Sequence, residues 1–234
     1  MAFDPSKYTV AKAKPLPVVL LLDTSSSMDG GGEQSKIEEL DSAVREMLKD
    51  FAHEEQLETE IDVSVITFGR EGVKLALPYT NASKVELVKL EAGGMTPMGG
   101  ALRMAKDMIE DKEVTSGRAY RPLVILCSDG EPNDDWEQPM QDFISSGRSS
   151  KCDRMAMAIG SGADESVLKK FIAGTENPLF YAKDAASMHK FFKFVTMTVT
   201  TRTRSQTPNQ VVKIEAPKEL LESPKNVVTT QNYW

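Results

Sequence analysis

Cysteine and histidine are scarce: 234 residues hold two of each. Two cysteines, Cys127 and Cys152, leave no disulfide framework. Cys127 closes an apolar run and reads as a small buried hydrophobe, not a nucleophile. His53 and His189 stand alone on helical stretches and read as surface or boundary residues. Positive charge is also in short supply, with 28 Lys and Arg against 35 Asp and Glu, a net −7. That balance excludes a nucleic-acid partner, whose phosphates need clustered cations, and leaves room for a cation or a basic protein surface. Long apolar runs are missing as well; none approaches the ~18 residues of a membrane span. The run Leu16 to Leu22 follows Lys12 and Lys14, but it is short and ends at Asp23 where a signal peptide has small residues. The expected location is the cytoplasm.

What is present is an ordinary globular composition, 40% hydrophobic and 27% charged. Residues Met1 to Lys14 carry no periodicity and read as a loose arm. Pro17 to Leu22 is a continuous apolar run that stops at Asp23, the pattern of a strand buried on both faces. Asp29-Gly30-Gly31-Gly32 makes a flexible loop. Ser35-Lys36-Ile37-Glu38 is a capping box that opens a helix to about His53, with Ile37, Leu40, Val44, Met47, Leu48 and Phe51 inward. Ile61 to Phe68 and Val73 to Leu77, joined by a Gly69–Gly72 turn, read as a hairpin with one antiparallel strand at the sheet edge.

Thr96-Pro97 predicts a helix cap followed by proline at the first helical position. The helix then runs through Ala101, Leu102, Ala105, Met108 and Ile109. Leu123 to Cys127 is a second buried strand that ends at an aspartate, in Ser128-Asp129-Gly130. Asp134 is expected to cap the helix bearing Trp136, Met140, Phe143 and Ile144. A strand through Met155, Met157 and Ile159 ends at Gly160-Ser161-Gly162, and Val167 to Ile172 marks another helix. Leu179 to Tyr181 is the last strand; Asp184 starts the last helix. Alternating strands and helices imply an α/β fold, a mainly parallel sheet covered on both sides. From Arg202 onward prolines and polar residues dominate. This part reads as an extended tail, 202–234, with Arg202 and Arg204 flanking a solvated segment and Leu220, Leu221, Tyr233 and Trp234 as anchors.

Two strands thus end in aspartate and one helix opens at a threonine. In open α/β sheets, ligands bind beyond the carboxyl ends of the strands at the switch point. Asp23, Ser25 and Ser27 offer a carboxylate and two hydroxyls from one loop, a hard oxygen-only set suited to Mg²⁺ or Ca²⁺ and not to zinc or copper. Taken singly, each residue has a plainer reading: an Asx turn at Asp23, a helix cap at Thr96, a turn at Asp129-Gly130.

The order Asp23-x-Ser25-x-Ser27, Thr96, Asp129 resembles the metal-ion-dependent adhesion site (MIDAS) of von Willebrand factor A domains, over residues 15–201. Five stretches resemble the bacterial TerY-type proteins of tellurium-resistance operons: Leu16 to Ser25, Ser64 to Phe68, Arg121 to Val124, Ser128 to Trp136 and Phe191 to Val195. Ser26 stands where glycine is common, and Gly30 to Gly32 lengthen the loop after it. The resemblance implies a doubly wound, mostly parallel six-stranded sheet with one antiparallel edge strand and helices on both faces. It implies that Ser25, Ser27 and Thr96 hold Mg²⁺, or alternatively Mn²⁺ or Ca²⁺, through their hydroxyls. Asp23 and Asp129 would bind directly or through water, and a partner protein's Asp or Glu would complete the shell. The implied role is a non-enzymatic scaffold in metal-stress or phosphorylation signalling, with a protein kinase and a PP2C-type phosphatase as neighbours. The rival is a Mg²⁺-dependent aspartyl phosphatase of haloacid-dehalogenase type. It needs a general-acid aspartate two residues after Asp23, where Ser25 stands, and a hydroxyl cannot take that role near neutral pH.

Overall fold

A strand apolar at both parities has to lie between two helical layers, and β1 (Lys14–Thr24) does so at the centre of the sheet in a computed structural model describing residues 14–30, 35–54, 59–210 and 214–224. The expectations for residues 1–13, for Gly31 and Gly32 and for Tyr233 and Trp234 lie outside the described residues. Six side chains of β1, Leu16 and Val18 through Leu22, are fully buried. At roughly 1.5–3 kcal/mol each, their burial exceeds anything the polar loops contribute. The alternation divides them cleanly. Leu16, Val18, Leu20 and Leu22 face one core, while Val19 and Leu21 face the other.

The first core is closed by α1 (Lys36–His53) and α5 (Ala185–Thr203). The second is closed by α2 (Met98–Glu110), α3 (Glu137–Ser145) and α4 (Glu165–Ile172). Between them run β2 (Thr59–Gly69), β3 (Gly72–Asn81), β4 (Leu123–Ser128), β5 (Asp153–Ile159) and β6 (Leu179–Ala182). The order is β3-β2-β1-β4-β5-β6, parallel throughout except for β3, which pairs antiparallel at one edge. This is the doubly wound arrangement expected from the sequence. Its switch point lies between β1 and β4, where Leu22 pairs with Cys127, so the loops after both strands open into one crevice.

The structure corrects three local expectations. Thr96 does not cap α2; the helix begins at Met98 with Pro97 in the cap position and no side-chain cap of its own. The cap comes from across the chain, since Asp134 accepts from the N–H groups of Gly99 (2.9 Å) and Gly100 (2.8 Å). Asp134 therefore serves α2 and not α3, because the helical amides of Gly99 and Gly100 need an acceptor and its carboxylate reaches them first. Arg202 is not solvated either. It belongs to α5, is 1% exposed, and donates to the carbonyls of Pro208 (3.0 Å) and Arg121 (2.6 Å). Beyond it, Leu220 is fully buried in the first core while Leu221 is largely exposed.

Candidate metal centre

Three loops meet beyond the carboxyl ends of β1 and β4. The first turns sharply after Thr24 into a 3₁₀ turn, Ser26–Asp29. The second, before α2, is stitched to it by backbone: Gly93 N–H donates to Thr24 O (2.9 Å) and Ser26 N–H to Gly94 O (3.1 Å). Ser26 Oγ adds a bond to the same Gly94 carbonyl at 3.0 Å, so serine in place of glycine ties the loops together. Gly94 takes φ +71°, and a Cβ there would come within 2.7 Å of Gly69 O, so any side chain would push the second loop away. The third loop, after β4, joins the second through Asn133 N–H donating to Thr96 O at 3.2 Å.

These contacts bring four of the five sequence-nominated side chains into one hydrogen-bonded string. Ser27 Oγ donates to Asp129 Oδ1 at 2.6 Å. With that proton committed, Ser25 Oγ, 3.0 Å from Ser27 Oγ, is the donor to it. Ser25 N–H donates to Asp23 Oδ1 at 2.8 Å. Thr96 is 7% exposed, and its described hydrogen bonds are those of its carbonyl, to Met98 N–H and Asn133 N–H. It is present in the second loop but stands outside the string.

The carboxylates are closed in: Asp23 is fully buried and Asp129 is 2% exposed. Burial raises the Asp23 carboxyl above its ordinary value, against hydrogen bonds from Ser128 and Ser25 that lower it, and the charge of Asp129 raises it further. Ser128 Oγ donates to Asp23 Oδ2 at 2.6 Å, so both Asp23 oxygens are engaged. Lys36, the first residue of α1, donates to Asp129 Oδ2 at 2.6 Å and to Ser27 O at 3.3 Å. Sequence reasoning noticed Lys36 only as part of a capping box, and Ser128 only as part of a turn. The capping bond itself exists, from Glu38 N–H to Ser35 Oγ at 3.4 Å, and it aims the first turn of α1 at the crevice.

The residues fit a hard dication. Two carboxylates and two hydroxyls stand within one chain of short contacts, and a positive ion would offset the cost of burying Asp23. Among the described residues, no group of three or more His, Cys, Asp or Glu forms a metal cluster; the donor set here rests on hydroxyls as well as carboxylates. When bound, a dication would supply electrostatic attraction for an anionic oxygen. Asp23, Ser25, Ser27 and Asp129 would hold it, and Thr96 stands in the adjoining loop before α2.

The family model for the von Willebrand factor type A domain matches residues 18–194. No curated protein matches the chain. Among solved structures, a von Willebrand factor type A protein from Catenulispora acidiphila aligns at 20% identity and TM-score 0.55, over 80% of this chain and 42% of that one. Proximal thread matrix protein 1 from the mussel byssus, solved with a zinc-occupied MIDAS motif, aligns at 15% identity and TM-score 0.58, over 79% and 48%. The pilus adhesin SpaC from Lactobacillus rhamnosus GG aligns at 17% identity and TM-score 0.60, over 81% and 31%. This chain thus spans less than half the length of each of the three.

Proposed function

The chain belongs to the von Willebrand factor type A family, and from that premise we propose that the crevice of Asp23, Ser25, Ser27, Thr96 and Asp129 is a MIDAS that captures a partner protein's carboxylate through a dication. The observation that carries this reading is the convergence of Ser25, Ser27 and Asp129, from two loops, into contacts of 3.0 and 2.6 Å beside buried Asp23. Mg²⁺ is the preferred ion for an oxygen-only set that keeps waters, with Mn²⁺ and Ca²⁺ as alternatives. The mussel protein's zinc-occupied MIDAS adds zinc to the ions to be tried, against the exclusion drawn from ligand softness alone.

The chain's own residues prepare the site. Ser128 and the Ser25 amide orient Asp23, and Ser27 and Lys36 orient Asp129. The phosphatase alternative gains nothing from this geometry. Asp23 is fully buried with both oxygens accepting hydrogen bonds, which is a poor posture for a nucleophile. The proposed setting rests on the TerY-like stretches: a cytoplasmic, non-enzymatic scaffold in metal-stress resistance whose partners include a protein kinase and a PP2C-type phosphatase. No helix among the described residues is long and apolar enough to cross a membrane.

The test is capture. Immobilised chain should retain the co-encoded kinase or phosphatase in Mg²⁺, lose it in EDTA, and lose it in Asp129→Ala with the melting profile preserved. Retention that ignores both chelator and Asp129→Ala would end the MIDAS reading.

A further inference from the structure

Lys36 brings a third charge to the crevice. Its ammonium sits 2.6 Å from Asp129 Oδ2 and 3.3 Å from Ser27 O. The lysine side chain is 31% exposed, whereas that of Asp129 is entirely closed. An exposed ion pair would be nearly inert, but a carboxylate without exposed surface feels its cation with little screening. The β5–α4 turn backs the contact: a Cβ on Gly160 would come 3.5 Å from Lys36 Cε, and one on Gly162 would come 3.1 Å from Asp129 O. The two oxygens of Asp129 are thereby assigned different roles. Oδ1 faces the hydroxyl string through Ser27, and Oδ2 faces the ammonium.

The charge count decides what this does. Asp23 and Asp129, ionised, carry −2, and Lys36 reduces the crevice to −1. A dication then leaves +1, which one carboxylate from outside brings to zero. Without Lys36 the dication would neutralise the crevice by itself, and an arriving carboxylate would take it to −1 in a place sheltered from water. We propose that Lys36 is a specificity-determining residue that couples the two ligands: it weakens binding of the dication alone and favours the dication together with an acidic side chain. Coupling of this kind is reciprocal, so the partner's carboxylate also retains the metal. The inference rests on the reading of the crevice as a dication site.

Calorimetric titration of the full chain with MgCl₂ and MnCl₂, with and without acetate at matched ionic strength, tests it on wild type, Lys36→Met and Lys36→Arg. Lys36→Met should bind the dication alone at least about tenfold more tightly, while the gain in metal affinity conferred by acetate shrinks. Lys36→Arg should keep both wild-type values within a few-fold. Metal binding that is weakened or unchanged in Lys36→Met, or an acetate effect as large as in wild type, overturns the coupling role; a merely structural lysine would give that result. Wild-type binding combined with an unaltered Lys36→Met removes only this inference. Absence of dication binding in all three proteins removes the metal-site reading and this inference with it.

Discussion

The two ends of the sheet use their charged side chains differently. At the amino ends of the strands, arginines are spent on structure. Arg154 donates to Phe171 O and Ala173 O (both 2.8 Å), closing the C-terminal end of α4. Arg148 donates to Ile109 O (2.5 Å) and Ser116 O (3.1 Å) at the end of α2, and Arg202 joins the end of α5 to the segments before β4 and after α5. Burial alone would raise the Glu110 carboxyl there, but hydrogen bonds from the Arg148 and Ser149 amides and from Lys106 outweigh it and bring it down to about 2. Most of these contacts satisfy a helix end or a turn. At the carboxyl ends the excess is negative: Asp23 and Asp129 are both closed, one lysine pairs with Asp129, and burial raises Asp23 as it raises Asp153 at the opposite end. One pole spends its arginines on backbone carbonyls, although Asp153 Oδ2 and Arg202 Nη1 stay buried there without a hydrogen-bond partner among the described residues; the other keeps a net negative charge that an ion and a partner can fill.

If that contrast is real, substitutions at the two poles should separate stability from binding. The largest loss of stability is expected from Arg202→Met, about 3 kcal/mol in urea denaturation, because it strands the carbonyls of Pro208 and Arg121 and the charge of nearby Asp153. Its dication affinity should stay at the wild-type value. A shift in affinity would show that the poles are coupled.

Asp134→Ala should cost about 1 kcal/mol through the lost cap on α2. Thr96→Ala should cost much less than that yet weaken dication binding. The reverse ordering in thermal melts would return the cap to Thr96. No loss of stability is expected from Asp23→Asn. Its folded carboxyl is raised, so above the unfolded value the ionised form is penalised by the fold. A neutral isostere should therefore leave stability at pH 7 equal or higher by up to about 1 kcal/mol, while dication binding disappears. A marked destabilisation would mean that Asp23 is structural, like the polar groups at the other pole.

Much of this was legible in the residues. Apolar runs at both parities announced the central strands, helical spacing announced the helices, and Ser35 and Asp184 cap the helices that follow them. These are local patterns, and they succeed because each element buries its own face. The failures are all long-range. The side chain of Thr96 makes no described cap bond to α2; the real cap comes from Asp134, 35 residues from Gly99. Arg202 looked like tail chemistry because nothing nearby in sequence reveals that Pro208 and Arg121 carbonyls await it. Lys36 is 93 residues from Asp129, so its pairing leaves no local trace.

By itself, then, the order of residues determined the layered architecture and nominated Asp23, Ser25, Ser27, Thr96 and Asp129, because periodicity and strand-end chemistry act over a few positions. Only the folded chain decided which oxygens share a hydrogen-bonded string, which side chain caps α2 and which cation stands at Asp129. Those outcomes depend on how loops from distant segments pack against one another, and a charge or a hydrogen bond acts through space without regard to position along the chain.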